Sequence, residues 1–313
     1  MNSSPALKII FMGTPDFAVP SLQLLAQSHH HIEAVVTVPD KPQGRGLRVR
    51  ASAVKTAAED LNLTILQPDD LKSSQFIQDL QSYKPDIIIV VAFQILPESV
   101  YTIPKFGSFN LHASLLPKYR GAAPIHWALL NGDKETGVTT FFLKRRVDTG
   151  NVISQKKIAI ESVDNLETLY TKLCGVGAEL VLETVDLIAA GDIDEFEQDN
   201  SIATPAPKVT TETQLLNFVE NNTQCHNRVR AFCPRPGAFT FRDGIRLKIL
   251  SSDLSDMKGE PGEVVSVSTD SFAVACGQGS LIIHRVQPES KKAMDVASYL
   301  RGNPLQVGDH FGK

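Results

Sequence analysis

The sequence predicts an α/β fold: a doubly wound, mostly parallel domain followed by a smaller β-rich domain. Short apolar runs alternate with stretches of helical apolar spacing, which indicates parallel strands buried on both faces. Near Gly191 the chain becomes acidic and proline-bearing, and short β segments separated by glycine, aspartate and serine follow. The length of 313 residues fits one large or two ordinary domains.

The elements of the first domain follow in order along the chain. Leu7–Met12 predicts a strand that stops at Gly13. Thr14 can cap a helix there, Pro15 suits its first position, and Asp16 complements its dipole. The other predicted strands are Ile32–Val38, Asp86–Ala92, Ser108–Leu111 and Val138–Leu143, and the predicted helices are Phe17–Ala26, Leu71–Leu80, Pro124–Leu130 and Leu166–Ala190.

The polar stretch Gly191–Lys208 predicts a linker, which divides the chain into domains at residues 1–190 and 209–313 with residues 191–208 between them. Beyond the linker, five short strands have the spacing of a small barrel. Helices are expected at Glu212–Asn221 and Asn227–Phe232, and strands at Ala238–Phe241, Arg246–Leu250, Gly262–Val267, Phe272–Ala275 and Leu281–Val286.

Composition excludes several classes of protein. The net charge of −4 gives no global positive field, and no apolar run approaches the ~20 residues that span a bilayer. Ile9–Met12 is too short for the core of a signal peptide. The four cysteines form no C-x-x-C pair, which favours reduced thiols. We therefore expect a cytoplasmic protein with no membrane contact and no metal, and a monomer by default.

Charge is unevenly distributed along the chain. Residues 1–208 carry 19 basic and 24 acidic side chains, whereas residues 209–313 carry 12 and 11. Two interpretations stay open for residues 210–250: a nucleic-acid groove, or a solvated face over a phenylalanine core. The basic residues are Arg228, Arg230, Arg235, Arg242, Arg246 and Lys248, and the interleaved aromatic residues are Phe232, Phe239 and Phe241.

A second basic feature is the loop Asp40–Gly46, whose proline and glycines exclude a helix or strand interior. The loop ends in a basic cluster formed by Arg45, Arg48 and Arg50. It follows a predicted parallel strand, at the edge where α/β sheets bind ligands. The loop either contacts an anion or is an ordinary solvated surface loop. Neither a G-x-G-x-x-G fingerprint nor a phosphate-binding GKS or GKT is present.

Residues 110–148 hold the most chemically informative side chains. Asn110 and His112 lie two residues apart as a strand ends, so their side chains point to the same face. Asp148 follows another predicted strand, and we expect the three to meet at the carboxyl ends of parallel strands. An isolated Asn–His pair is often structural, but a carboxylate that orients the imidazole makes a pair of oxyanion donors. Ser114 lacks the G-x-S-x-G elbow, so direct attack by an amine is expected.

At these residues the sequence resembles the methionyl-tRNA formyltransferase family, which uses 10-formyltetrahydrofolate. The pattern Asn-x-His-x-Ser-Leu-Leu-Pro with the later aspartate identifies the chemistry but not the acceptor. The loop Asp40–Gly46 and the segments RGAAPI and PGAFT are more specific signals of this family. The matching segments are GTPDF at Gly13–Phe17, DKPQGRG at Asp40–Gly46, QILP at Gln94–Pro97, NLHASLLPKYRGAAPI at Asn110–Ile125, NGDKETGVT at Asn131–Thr139, VDTG at Val147–Gly150, and CPRPGAFT in the second domain.

The resemblance implies a Rossmann-like catalytic domain, an OB-like tRNA-binding domain, and formyl transfer from 10-formyltetrahydrofolate to methionyl initiator tRNA. The amine would attack the formyl carbon while Asn110 and protonated His112 stabilise the oxyanion and Asp148 holds His112. Folate would contact Ser114, Leu115, Leu116, Pro117, Gln94, Ile95, Leu96 and Pro97, and the tRNA would contact Arg45, Arg48, Arg235, Arg246 and Lys248.

Two departures from the family concern ligand contacts. Lys144, Arg145 and Arg146 stand where the family commonly has Met-Asp and a small residue, and Phe93-Gln94 replaces a usual Tyr-Gly pair. The alternatives are an enzyme that formylates a purine precursor, a formyl-folate hydrolase, and a tRNA-binding protein without catalysis. A stand-alone purine transformylase would need only one α/β domain, so the second domain argues against it.

Overall fold

The structure, a computed structural model, describes residues 5–43 and 48–312. The contacts divide the chain into two units. The first unit consists of Met1–Gly121, Thr136–Ile158 and Tyr170–Pro205, and the second unit consists of Ala122–Glu135, Ala159–Leu169 and Ala206–Lys313.

The first unit is built on a seven-stranded sheet with the order β5-β2-β1-β6-β7-β8-β9. The four pairs from β5 to β7 are parallel, whereas β8 runs antiparallel to β7. The side chains of the two central strands are almost fully buried, as their apolar runs predict. The strands are β1 (Lys8–Gly13), β2 (His31–Val36), β5 (Ile65–Leu66), β6 (Ile87–Val91), β7 (Ser108–His112), β8 (Glu135–Phe142) and β9 (Val152–Ala159), and a separate pair joins β3 (Lys41–Gln43) to β4 (Arg48–Arg50).

The first four helices connect the parallel strands of this sheet. Serine hydroxyls cap two of them: Ser52 accepts a hydrogen bond from the amide of Lys55, and Ser73 accepts one from the amide of Phe76. The chain order reverses between β1 and β6, which is the point where doubly wound sheets bind ligands. The helices are α1 (Val19–Ala26), α2 (Ala53–Asp60), α3 (Ser74–Ser82), α4 (Glu98–Tyr101) and α6 (Leu166–Ala190), with a 3-10 turn at Asp16–Ala18.

The second unit contains an antiparallel sheet with the order β10-β11-β14-β13-β12, and β15 pairs with β14. Phe232 and Phe272 are fully buried in its core. The strands are β10 (Ala238–Arg242), β11 (Ile245–Ser255), β12 (Val264–Val267), β13 (Phe272–Ala275), β14 (Ser280–Pro288) and β15 (Met294–Asp295), and the helices are α5 (Pro124–Leu130), α7 (Thr211–Gln214), α8 (Asn222–Phe232) and α9 (Val296–Gly302).

The predicted fold class, a mostly parallel α/β domain followed by an antiparallel β domain, is confirmed. Several details of the sequence analysis are wrong. Pro42 lies inside the short strand β3, which pairs with β4, although the prediction excluded a strand interior for Asp40–Gly46. Thr14 is not the helix cap, because the 3-10 turn begins at Asp16 and Pro15 is its N-cap. Because β8 is antiparallel to β7, Asp148 does not follow the carboxyl end of a parallel strand. The helix expected over Glu212–Asn221 ends at Gln214, because Leu216 donates its backbone hydrogen bond to Phe239.

The predicted domain boundaries at residues 190 and 208 stay predictions, and the contacts add two observations. Residues 191–205 group with the first unit, where Phe196 pairs with Val152. Residues 122–135 group with the second unit, where α5 packs against α8. Across residues 5–43 and 48–312, no helix combines the length and the apolar character needed to cross a membrane.

Candidate active site

Asn110 and His112 extend from the same face of β7, as their spacing predicts. In the sheet register Asn110 lies between Val90 of β6 and Phe141 of β8. His112 is buried, whereas Asn110 is partly exposed and lines a cavity. The strand therefore presents one accessible amide and one enclosed imidazole.

The tautomer of His112 follows from its contact with Tyr119. The Nε2 atom lies 2.8 Å from the backbone oxygen of Tyr119, and because a carbonyl only accepts, Nε2 carries a proton. The other ring nitrogen, Nδ1, lies 3.9 Å from Oδ2 of Asp148, which is beyond hydrogen-bond range. The main chain at Tyr119 thus fixes the tautomer, and Asp148 faces the nitrogen that gains a proton when the imidazole becomes charged.

Asp148 is held by the main chain as well. Its Oδ2 atom accepts a hydrogen bond of 2.8 Å from the amide of Gly121. Its backbone has a φ of 54°, in the left-handed region that a non-glycine residue adopts at a cost of about 1–2 kcal/mol. The carboxylate is buried beside His112. The loop conformation, rather than the end of a parallel strand, brings this carboxylate to the imidazole.

Gly150 accounts for the close return of that loop. A Cβ atom on Gly150 would lie 1.5 Å from the carbonyl oxygen of Phe142, the last residue of β8. The amide of Phe142 also donates a hydrogen bond to the carbonyl of Asn151. Only glycine allows the two backbone segments to approach this closely, and the loop from residue 143 to residue 150 is therefore narrow at its base.

The cavity beside Asn110 has apolar and aromatic walls with polar groups at one side. Its position beyond β6 and β7 agrees with the ligand crevice of doubly wound sheets. Ile95 and Val147 are 76% and 50% exposed, so apolar side chains project at its rim. The lining residues are Val90, Phe93, Gln94, Ile95, Leu96, Tyr101, Asn110, Phe141, Leu143, Lys144, Arg145, Arg146, Val147 and Asp148.

The predicted folate contacts divide into two groups. Gln94, Ile95 and Leu96 line the cavity, whereas its lining, within the described part of the chain, includes neither Pro97 nor any of the residues 114–117. The hydroxyl of Ser114 donates to the carbonyl of Lys118, and the backbone of Leu116 is bound by Thr139 and Gln155. Ser114, Leu115, Leu116 and Pro117 therefore stay predicted folate contacts, without support from the cavity.

Three cations stand on the cavity wall. Lys144 donates a hydrogen bond of 2.6 Å to the side chain of Asn151, and Arg145 and Arg146 are exposed. The pKa of Arg120 is lowered from its ordinary value by burial first and then by the charge of Arg146, while Asp148 opposes both effects. The polar side of the cavity is therefore positively charged around a single carboxylate.

The predicted tRNA contacts are unequally accessible. Arg45 lies outside the described residues, and only the backbone of Arg48 is described, in β4. Arg235 is exposed and Lys248 is partly buried. The guanidinium of Arg246 lies 3.5 Å from the centroid of the Phe239 ring, so part of its surface is already covered.

Tyr119 and Gly121, which hold His112 and Asp148 in place, are not among the predicted site residues. Both residues hydrogen-bond through backbone groups, so their residue types do not reveal that they position His112 and Asp148. The RGAAPI block did place Gly121 in a segment of interest, but the partner of its amide depends on the tertiary structure.

One group of side chains has the composition of a metal site. Ligand atoms of His29, His30 and Asp186 lie within 4.8 Å of one another. Both nitrogens of His30 are engaged, because Nδ1 accepts from the amide of Leu7 and Nε2 lies 3.1 Å from Asp186. A metal ion would have to displace these hydrogen bonds, and the expectation of a metal-free protein stays a prediction.

Comparison with known proteins identifies the family. Residues 7–185 match the formyl transferase family, and residues 208–304 match the formyl transferase C-terminal domain. Methionyl-tRNA formyltransferase of Geobacter sulfurreducens is 41% identical over 98% of this chain and 97% of its own, and that of Moorella thermoacetica is 42% identical over 98% and 99%. A solved Helicobacter canadensis N-formyltransferase, in complex with folinic acid and dTDP-3-aminofucose, has a similar fold, with 21% identity, a TM-score of 0.66 and coverage of 90% and 99%. The chain belongs to the methionyl-tRNA formyltransferase family.

Proposed function

We propose that the protein transfers the formyl group of 10-formyltetrahydrofolate to the free α-amino group of methionyl initiator tRNA. The product is the N-formylmethionyl-tRNA that begins translation. The observation that carries the proposal is that Asn110 and Asp148 line one cavity and that Nδ1 of His112 lies 3.9 Å from Asp148, in a chain 41% identical to a methionyl-tRNA formyltransferase over almost its whole length. The proposal takes the protein as a cytoplasmic monomer that needs no metal ion.

The cavity suits the folate donor. Val90, Phe93, Leu96 and Phe141 offer apolar and aromatic walls to a flat heterocycle, and the backbone of residues 94–96 offers groups to its polar edge. Asn110 lines the same cavity and is partly exposed, so its amide would be accessible to the formyl group of a donor bound there. Donor and catalytic groups can thus share one site.

The residues support direct attack by the amine. The neutral amine adds to the formyl carbon, and negative charge develops on the formyl oxygen. Asn110 donates through its amide, and His112 donates through Nδ1 when the imidazole is charged, because Nε2 is committed to Tyr119. The bond from carbon to the folate nitrogen then breaks, and that nitrogen receives the proton that the amine loses. The carboxylate of Asp148 stabilises the charged imidazole from 3.9 Å.

The acceptor would be bound largely through its phosphates. Arg235 and Lys248 in the second unit, with Arg45 and Arg48 in the first part of the chain, are the cations proposed for this contact. Arg246 joins them with less accessible surface, because it stacks on Phe239. Contacts of this kind position an RNA without reading its sequence.

The direct test is a formyl transfer assay with competing acceptors. The purified protein is incubated with 10-formyltetrahydrofolate and charged initiator methionyl-tRNA, with a purine-precursor amine and water as alternatives. Formylation of the tRNA alone is expected. Transfer to the purine precursor or to water would keep the chemistry and refute the acceptor, and absence of any transfer would refute the proposal as a whole.

A further inference from the structure

Residues 196–205 hydrogen-bond to both loops that form the candidate active site. We call this segment the strap. At one end, Phe196 pairs with Val152 through two backbone hydrogen bonds of 2.9 and 3.0 Å. At the other end, Thr204 binds the loop that holds His112: its hydroxyl accepts from Tyr119 and its carbonyl accepts from Arg120, both at 2.9 Å. The strap therefore joins β9 to the loop that holds His112, although its sequence predicts a linker.

Gln198 is the buried side chain of the strap. It is only 8% exposed, whereas its neighbours in the sequence are exposed. Its Nε2 atom donates to the carbonyl of Asp148 at 3.0 Å and to the carbonyl of Gly150 at 2.8 Å. Both protons of the amide are thus used on the loop that carries the carboxylate.

Arg120 orients this amide. Its Nε and Nη2 atoms donate to the Oε1 atom of Gln198 at 3.0 and 2.7 Å, and its Nη1 atom donates to Asn200. A guanidinium only donates, so it holds the oxygen of the amide towards itself and the nitrogen towards the two carbonyls. The positions of the amide atoms follow from this contact.

The loop needs such support for two physical reasons. Asp148 has a φ of 54°, which costs about 1–2 kcal/mol for a non-glycine residue. Such a conformation persists only when neighbouring contacts enforce it. The carbonyls of Asp148 and Gly150 accept from a side chain that is itself buried, so removing that side chain leaves buried acceptors unsatisfied. Without the Gln198 side chain, the strained backbone of Asp148 is free to relax, and its carboxylate no longer keeps its position.

We propose that Gln198, oriented by Arg120, is a positioning residue that holds the backbone of Asp148 so that its carboxylate faces Nδ1 of His112. This inference rests on the proposed function for its kinetic consequence, but the placement of the loop can be measured independently. Gln198 does not line the cavity, so its role is exerted through Asp148.

The test replaces the two donors while keeping the volume. Gln198→Met loses both N–H groups, and Gln198→Glu keeps an oxygen for Arg120 but loses the donors. Both variants are expected to lower kcat about 10- to 100-fold, as misplacement of a catalytic group does, while the KM for methionyl-tRNA stays within about twofold, because no acceptor contact is removed. Asn200→Ala is the matched control, since it removes an exposed partner of the same arginine and should leave kcat within about twofold.

Amide hydrogen exchange of residues 143–152 provides the independent readout, measured on the full chain in the same buffer. Exchange should accelerate in both Gln198 variants and stay unchanged in Asn200→Ala. If Gln198→Met does not fold, Gln198→Glu and Arg120→Met carry the test, because Arg120→Met leaves the amide in place without its orienting partner. Unchanged exchange with kcat near that of the wild type would overturn the inference. Absence of formyl transfer by the wild type would refute only the proposed function, because the exchange experiment would still decide the positioning role.

Discussion

The two units use their charged side chains in different ways. In the first unit, His112 and Asp148 are buried, and each is tied to a backbone group of the loop at residues 119–121. In the second unit, most of the six basic residues between positions 210 and 250 are engaged in contacts within the protein. Arg228 pairs with Glu220, Arg242 pairs with Asp309, Arg230 donates to the carbonyls of Glu161 and Asp164, and Arg246 covers Phe239.

The difference shows that the spacing of particular residues predicts a functional site better than a count of charged residues does. The spacing of Asn110 and His112 predicts that their side chains share one face of a strand, and both residues lie in β7. The count of six basic residues between positions 210 and 250 is a statement about charge, and four of them make intramolecular contacts. Substitutions of the active-site residues should therefore have large effects on the reaction. Substitutions of the basic residues in the second unit should have moderate effects on tRNA binding.

The largest effect is expected for the two oxyanion donors. Asn110→Ala and His112→Ala should each lower kcat by about 10²–10³-fold, because each removes a donor to the developing charge. Their stabilities should differ. His112→Ala removes a buried donor to the carbonyl of Tyr119 and should cost about 1–3 kcal/mol, whereas loss of the partly exposed Asn110 side chain should cost less. Single-turnover kinetics and thermal unfolding check both expectations, and an active Asn110→Ala enzyme would contradict the role of the amide.

The next effect concerns the base of the loop that carries Asp148. Gly150→Ala places a Cβ atom 1.5 Å from the carbonyl of Phe142, so the loop has to move, and kcat should fall at least about tenfold together with stability. Gly175→Ala is the matched control within α6, where no other atom lies within 4 Å of the added carbon. It should stabilise the protein by about 0.5–1 kcal/mol with no change in kcat. Normal activity in Gly150→Ala would show that the narrow loop is dispensable.

The sequence was sufficient for the elements whose signal is local. The apolar runs located the central strands of the first sheet, and α5 and α6 begin and end where predicted. The strand β9 was missed because the polar residues Gln155, Lys156 and Lys157 interrupt its apolar run at the edge of the sheet. The helix α2 was missed because two of its three buried residues are alanines, so few large apolar side chains mark its buried face.

The side chains of the candidate site could be predicted from the sequence, but the contacts that position them could not. Asn110, His112 and Asp148 were recognisable from residue type and family resemblance, and their roles stay predictions until activity is measured. The antiparallel direction of β8, the backbone partners at Tyr119 and Gly121, and the amide of Gln198 depend on long-range contacts. Gln198 in particular lies in an acidic, polar stretch, and nothing in that composition distinguishes a buried glutamine from a solvated one.

A moderate effect is expected for Arg235 and Lys248, the two predicted tRNA contacts of the second unit that do not stack on any aromatic ring that the structure describes. Arg235→Ala and Lys248→Ala should raise the KM for methionyl-tRNA several-fold with kcat unchanged, and each should reduce the slope of log affinity against log salt by about one. Arg246→Met should have a smaller effect on that slope, because its guanidinium already stacks on Phe239. Filter binding at several salt concentrations measures the slopes. Equal slopes for Arg235→Ala and Arg246→Met would show that the intramolecular contact does not limit the cation.

The smallest effect is on the pH dependence of stability in the second unit. Burial lowers the pKa of His126 from its ordinary value of 6.5, so the folded state favours the neutral imidazole. As the pH falls through 6.5 towards the folded pKa, the unfolded chain binds a proton that the folded chain does not, and stability decreases. His126→Leu should lose less stability than the wild type between pH 7.5 and pH 5.5. The only tryptophan, Trp127, is its neighbour in α5 and reports urea unfolding of this unit by fluorescence. An equal loss in both proteins would assign the acid sensitivity to another group, such as His226, whose pKa burial also lowers.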